Sequence, residues 1–189
     1  IVIVQQERAT PYHQPHATTV FGRVITRNAD NRYYNNIFSS IDSEIVQSMP
    51  NHWWENRGSY GLGIYNGYSP MYVDGNVYYK DAEVFNDEIN FVQNTNHDPK
   101  IWLEDKGEEV FLNFSFDTSI INLNNKVVST EMLGRVKTSD MKFENADGSP
   151  YTIDKDYFGK QRNLQNPFPG PFQLIRSDTM RIKVWPKIN

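Results

Sequence analysis

Two triplets of one pattern, Asn36-Ile37-Phe38 and Asn76-Val77-Tyr78, constrain the fold of this chain more than anything else in it. Each places an Asn before a β-branched residue and then an aromatic one. They sit in longer runs, Arg32 to Phe38 with its paired Asn, and Asp74-Gly75-Asn76-Val77-Tyr78-Tyr79. A stack of coils explains the pattern physically. Asn tolerates the left-handed backbone at a sharp turn, and its amide can bond the same residue in the next coil. The aliphatic residue that follows points into the stack and packs on its counterparts above and below. The same runs also suit an ordinary β protein, so the pattern alone leaves both open.

The rest of the chain is consistent with all-β structure. Aromatic residues make up 14% of the 189, which suits strands. No long segment carries a 3.6-residue apolar period, and the best helical candidate, Ile41 to Met49, is short. Strands are expected at Ile1 to Val4, Val20 to Thr26, Arg32 to Phe38, Lys100 to Glu104, Val110 to Phe116 and Met180 to Trp185. Lys126 to Leu133 and Arg135 to Phe143 suggest further strands. Segment 5–18, marked by Pro11 and Pro15, reads as a loop. Lys106-Gly107-Glu108-Glu109 reads as a hairpin turn, and Asn145 to Pro150 as another turn. The texture changes near residue 97, which divides the chain into 1–96, coils with long loops, and 97–189, a hairpin or sandwich-like region.

Several classes of function are disfavoured. The formal net charge is −4 and no basic cluster exceeds two adjacent residues, so a nucleic-acid partner is not expected. No apolar stretch approaches the ~18 residues of a membrane span, and no membrane partner is expected. The absence of Cys excludes disulfides and thiolate sites and leaves the compartment open. Ile1 to Val4 lacks the flanks of a signal peptide. It reads as a strand of a larger sheet, and the chain as a piece of a longer protein.

A resemblance enters at the end of the chain. Asp156-Tyr157-Phe158-Gly159-Lys160-Gln161-Arg162, then Pro167, then Pro169-Gly170-Pro171-Phe172, resembles the terminal signature of many parallel β-helix carbohydrate enzymes. Runs in order along the chain resemble glycoside hydrolase family 120, the β-xylosidase-type β-helix enzymes. They are Thr10 to His16, Asp30 to Phe38, Tyr72 to Tyr78, Thr130 to Gly134, Asp147 to Pro150 and Arg181 to Trp185. The resemblance implies the last coils of a right-handed parallel β-helix followed by a β-sandwich-like C-terminal region. It implies a parent protein that hydrolyses β-xylosides or xylo-oligosaccharides with retention, using two carboxyls roughly 5 Å apart. The resemblance places that Asp and Glu upstream, so no catalytic residue is expected in this chain. The partners implied are a xylo-oligosaccharide and the upstream part of the same protein.

Candidate contacts are few. Tyr12, His13 and His16 surround Pro15 in one segment, where imidazoles can bond sugar hydroxyls beside an apolar ring; a structural role for the two His is the alternative. Their spacing is not diagnostic of a metal, and neither metal nor cofactor is expected. In His52-Trp53-Trp54-Glu55, Trp54 is a candidate stacking platform, with core packing as the alternative. The pairs Asp87-Glu88 and Glu108-Glu109 read as solvated turn charges, and no carboxylate sits in an apolar run that would raise its pKa. Asp156 and Arg162 are expected to fix a turn through a mutual charge-assisted bond. Two functions remain: the C-terminal part of a glycoside hydrolase, which completes the scaffold and cleft rim and is inactive alone, or a non-catalytic carbohydrate-binding or structural β module.

Overall fold

The computed structural model describes residues 8–14, 16–26, 30–40, 70–173 and 179–186. The Ile1 to Val4 strand, the Ile41 to Met49 helix and Trp54 lie outside these residues. The described part is nearly all β, with one four-residue α-helical turn, Thr130–Leu133, and a 3₁₀ turn, Thr118–Asn122.

Short parallel strands stack in register at the centre. Strand β3 (Arg32–Tyr34) pairs with β5 (Tyr72–Asp74). Strand β4 (Ile37–Ser39) pairs with β6 (Asn76–Tyr79), and β6 with β7 (Phe91–Asn94). Ile37, Val77 and Val92 therefore lie over one another, as the repeated triplets require. The expected single strand from Arg32 to Phe38 is broken at Asn35, whose φ is 57°. The matching turn residue one strand pair on is Gly75, φ 75°. A Cβ there would meet the Oδ1 atoms of Asn35 and Asn125 at 2.5 Å, so only glycine fits.

The two roles assigned to one Asn are split between neighbours. Asn35 supplies the left-handed turn, and Asn36 the amide that reaches Asn76 of the paired strand β6. Both the Asn36 backbone N–H (2.8 Å) and its Nδ2 (3.1 Å) donate to Asn76 Oδ1.

The second unit is an antiparallel sheet in the order β10 (Met180–Trp185), β9 (Val110–Phe114), β8 (Trp102–Asp105). The turn between β8 and β9 is closed by Lys106 N–H to Glu109 O at 2.8 Å, as the sequence suggested. One core joins the stack to this sheet: Val77 and Tyr79 pack with Phe114, Phe116, Ile120, Phe172 and Met180.

Four local expectations change, one of them the strand from Arg135 to Phe143, which is reduced to an isolated bridge between Arg135 and Lys142. Residues 8–13 form strand β1 (Arg8–His13), not loop, paired antiparallel with β2 (Val20–Thr26). This two-stranded arm leaves each strand an outer edge, where Pro11 and its missing N–H are tolerated. Thr130–Leu133 is helical rather than extended because Ser129 caps it, its hydroxyl accepting from Met132 N–H. Asp156 and Arg162 fix the closing turn without bonding each other. The Asp156 carboxylate accepts from the N–H groups of Phe158, Lys160 and Gln173, and Arg162 donates to the carbonyls of Lys155, Phe168 and Gly170.

Candidate functional site

A polar cleft of about 570 Å³ lies between the β1–β2 arm and the segment 135–144. The arm contributes Tyr12, His13, Gln14 and Phe21, and the facing segment contributes Arg135, Ser139, Asp140, Met141, Lys142 and Glu144.

Arg32 and Asp30 set the facing wall. Arg32 Nε donates to Leu133 O (3.0 Å) and Nη2 to Arg135 O (2.8 Å). Its Nη1 donates to both Asp30 Oδ1 (2.7 Å) and Asp30 O. Its guanidinium lies 4.5 Å from the Tyr72 ring centroid and 4.8 Å from that of Phe143. Asp30 Oδ2 in turn accepts from Lys137 N–H at 2.8 Å. Both side chains are largely buried, so residues 30–32 grip the 133–137 backbone through a planar fork.

The arm is tied by His16. It stands in the left-handed region, φ 56°, and its Nε2 meets Glu144 Oε1 at 2.6 Å. His13 bonds Thr18 O through Nδ1 at 3.0 Å. Tyr12 lies across Gly22, its register partner, where a Cβ would meet the Tyr12 hydroxyl oxygen at 2.8 Å. The half-buried Tyr12 ring meets Phe21 edge to face, centroids 5.9 Å apart. Phe21 is 66% exposed and is the larger free apolar face at the cleft.

Of the expected site residues, Tyr12 and His13 line the cleft, and His16 joins it through Glu144. Phe21 and the 135–144 wall were missed. Phe21 was legible as an aromatic in a strand, but nothing local places Glu144 opposite a histidine 128 residues away.

The arrangement can hold a polyhydroxylated ring. Phe21 offers an apolar face, Arg135 and Lys142 offer donors, and Asp140 and Glu144 offer acceptors. Ser139 Oγ is buried and has no hydrogen-bond partner. Both cleft carboxylates already have a basic partner: Asp140 has Arg135 at 3.3 Å and Glu144 has His16. No group of three or more residues suited to a metal ion occurs among the described residues.

A second cavity, of about 510 Å³, is lined mainly by hydrocarbon, including Ile37, Leu112, Phe114 and Phe172. The charged side chain lining it, Arg162, spends its guanidinium on three carbonyls. The lining of this cavity carries fewer hydrogen-bonding side chains for a sugar than that of the arm cleft.

Glu88 corrects the reading of acidic residues. It is not a solvated turn charge but 4% exposed. Oε1 accepts from Asn76 N–H (3.0 Å) and Nδ2 (2.8 Å), and Oε2 from the Tyr78 hydroxyl (2.6 Å). Burial raises its pKa; the three donors oppose that only in part, and the Asp74 charge adds to it. With both oxygens engaged inside the stack, Glu88 serves structure rather than a substrate.

No family model and no curated protein matches the chain. Among solved structures, XylC in complex with xylose matches with a TM-score of 0.75 and 29% sequence identity, over 96% of this chain. The chain is a structural relative of XylC. The match takes in 31% of XylC, so this chain spans about a third of that protein's length.

Proposed function

We propose that this chain is the C-terminal part of a glycoside hydrolase acting on β-xylosides or xylo-oligosaccharides. It supplies the end of the scaffold and one rim of the sugar cleft. The observation that carries this reading is the match to a protein solved with xylose, which runs along almost the whole chain at 29% identity. The ordered resemblance to glycoside hydrolase family 120 also supports it. Parallel in-register pairing supports reading β3 to β7, within 1–96, as terminal coils of a right-handed parallel β-helix, with 97–189 as the appended sandwich-like region.

In this reading Tyr12, His13, His16 and Phe21 form the sugar-facing rim. His16 acts by holding Glu144, and Phe21 offers the stacking face. Hydrolysis with retention needs a nucleophile and a separate acid/base carboxyl roughly 5 Å apart. Pairing of Asp140 with Arg135 and of Glu144 with His16 supports placing those two groups elsewhere in the parent protein, on coils that precede this chain. The chain alone is then inactive.

Calorimetric titration with xylobiose and xylotriose tests the reading. Weak binding, of about millimolar strength, is expected of a rim without the rest of its cleft. Micromolar binding would favour the alternative, a self-sufficient carbohydrate-binding module. Absence of binding at any accessible concentration would remove the rim from the proposal.

A further inference from the structure

Two like charges stand side by side in the wall of the arm cleft. Arg135 and Lys142 pair across an isolated antiparallel bridge, and both line the cleft. Residues directly opposite in such a bridge place their side chains on one face, with Cβ atoms about 4.5–5.5 Å apart, and like charges so placed repel.

One carboxylate answers the two cations. Asp140 meets Arg135 Nη1 at 3.3 Å, but its side chain is 83% exposed, so the pairing is an open one of small worth. Nη1 also donates to the Asp140 carbonyl. Arg135 Nε and Nη2 make no hydrogen bond among the described residues. The Lys142 ammonium has neither an ion pair nor a hydrogen bond there. Glu144 gives its ion pair to His16, not to Lys142. The uncommitted groups at this point of the wall are therefore cationic donors. A neutral sugar presents hydroxyls, which donate as well as accept, and leaves the charge unanswered. A carboxylate presents acceptors only, and a guanidinium fork matches it.

We infer that the cleft takes an acidic xylo-oligosaccharide, one with a uronic acid branching from its xylose chain, and that the uronate carboxylate lies between Arg135 and Lys142. The inference rests on the sugar-cleft reading above and names its substrate class. The ligand carboxylate supplies the counter-charge that Asp140 leaves incomplete, while a xylose ring beside it meets the exposed Phe21 face on the arm. A cleft of about 570 Å³ has room for the branch as well as the backbone unit that carries it.

Calorimetric titration tests this with three probes: xylotriose, xylotriose bearing a glucuronosyl branch, and free glucuronate. At low salt the branched acid should bind about five- to tenfold more tightly than xylotriose, the scale of two exposed ion pairs. Added salt at about 0.3 M should bring that ratio close to one, because exposed charges are screened. Lys142→Gln should cut the ratio about threefold, as loss of one of the two pairs requires. Lys142→Glu should remove the preference altogether. Lys142 is exposed, so both variants should unfold as the wild type does.

A ratio near one at low salt, with xylotriose bound, would overturn the inference and leave the xylose-binding rim standing. A preference that ignores both salt and Lys142→Glu would trace to contacts other than charge and would overturn it too. Free glucuronate binding as tightly as the branched sugar would make the pair a general anion site and sink the sugar assignment. Binding of the acid without binding of xylotriose would support the inference and remove the neutral rim. Binding of none of the three would remove both.

Discussion

Asn76 is bonded on every side. Its Oδ1 takes two donors from Asn36, its Nδ2 reaches Tyr33 O at 2.9 Å and Glu88, and its N–H also meets Glu88. Glu88→Ala would leave Asn76 N–H and the Tyr78 hydroxyl without the acceptor they now have. The expected loss is about 1–3 kcal/mol in urea unfolding. The pH dependence has a definite sign. Burial raises the Glu88 pKa above the ordinary 4.5, so the folded state holds its proton longer than the unfolded state. The stability linked to that proton is complete below the ordinary value and lost as pH rises through the raised one. Wild-type stability measured relative to Glu88→Ala should therefore fall with pH above 4.5 and level off once Glu88 is ionised. A difference that rises with pH would contradict this. The residue that governs the stack was read from sequence as a surface charge. Its neighbour Asp87 and the turn around it suggested solvent, and only the placement of strand β6 reveals the donors that enclose it.

At the scale of elements, the cleft depends on how two remote segments are held. Arg32 holds Leu133 O and Arg135 O with two donors and Asp30 with a third, all from one planar group. Arg32→Lys keeps the charge but cannot supply that geometry. A loss of about 1.5–3 kcal/mol is expected, from charge-assisted bonds given up in a buried site. Hydrogen exchange should quicken at Lys137, whose N–H meets Asp30. The His16–Glu144 contact is more exposed and is expected to contribute under about 1 kcal/mol to global stability. Its effect should appear instead as faster exchange in the β1–β2 arm on His16→Ala. Phe21→Ala removes the exposed face. It should weaken xylobiose binding about five- to tenfold, the scale of one stacking contact, with unfolding unchanged. Strands β2, β8, β9 and β10 were legible from alternation, and the β8–β9 hairpin from its turn. Strand β1 was not, because Pro11 marks a loop as well as it marks an edge strand.

For the whole molecule, the repeated triplets carried the architecture. They gave the parallel pairing and its register, since only equal spacing puts Ile37 over Val77. The core that joins Val77 and Tyr79 to Phe114, Phe172 and Met180 was beyond them, because it depends on contacts between residues far apart along the chain. The site was half legible. Tyr12 and His13, proposed from their chemistry, line the cleft, whereas the wall that faces them arises from tertiary packing. The proposed division of labour, with sugar contact here and bond cleavage on preceding coils, can be read in a single NMR sample of this chain with xylobiose. Saturation transferred from protein to sugar reports contact, and the anomeric signals report hydrolysis. Transfer with unchanged anomeric signals over days is the expected result. Free xylose accumulating in that tube, or no transfer at all, would contradict it.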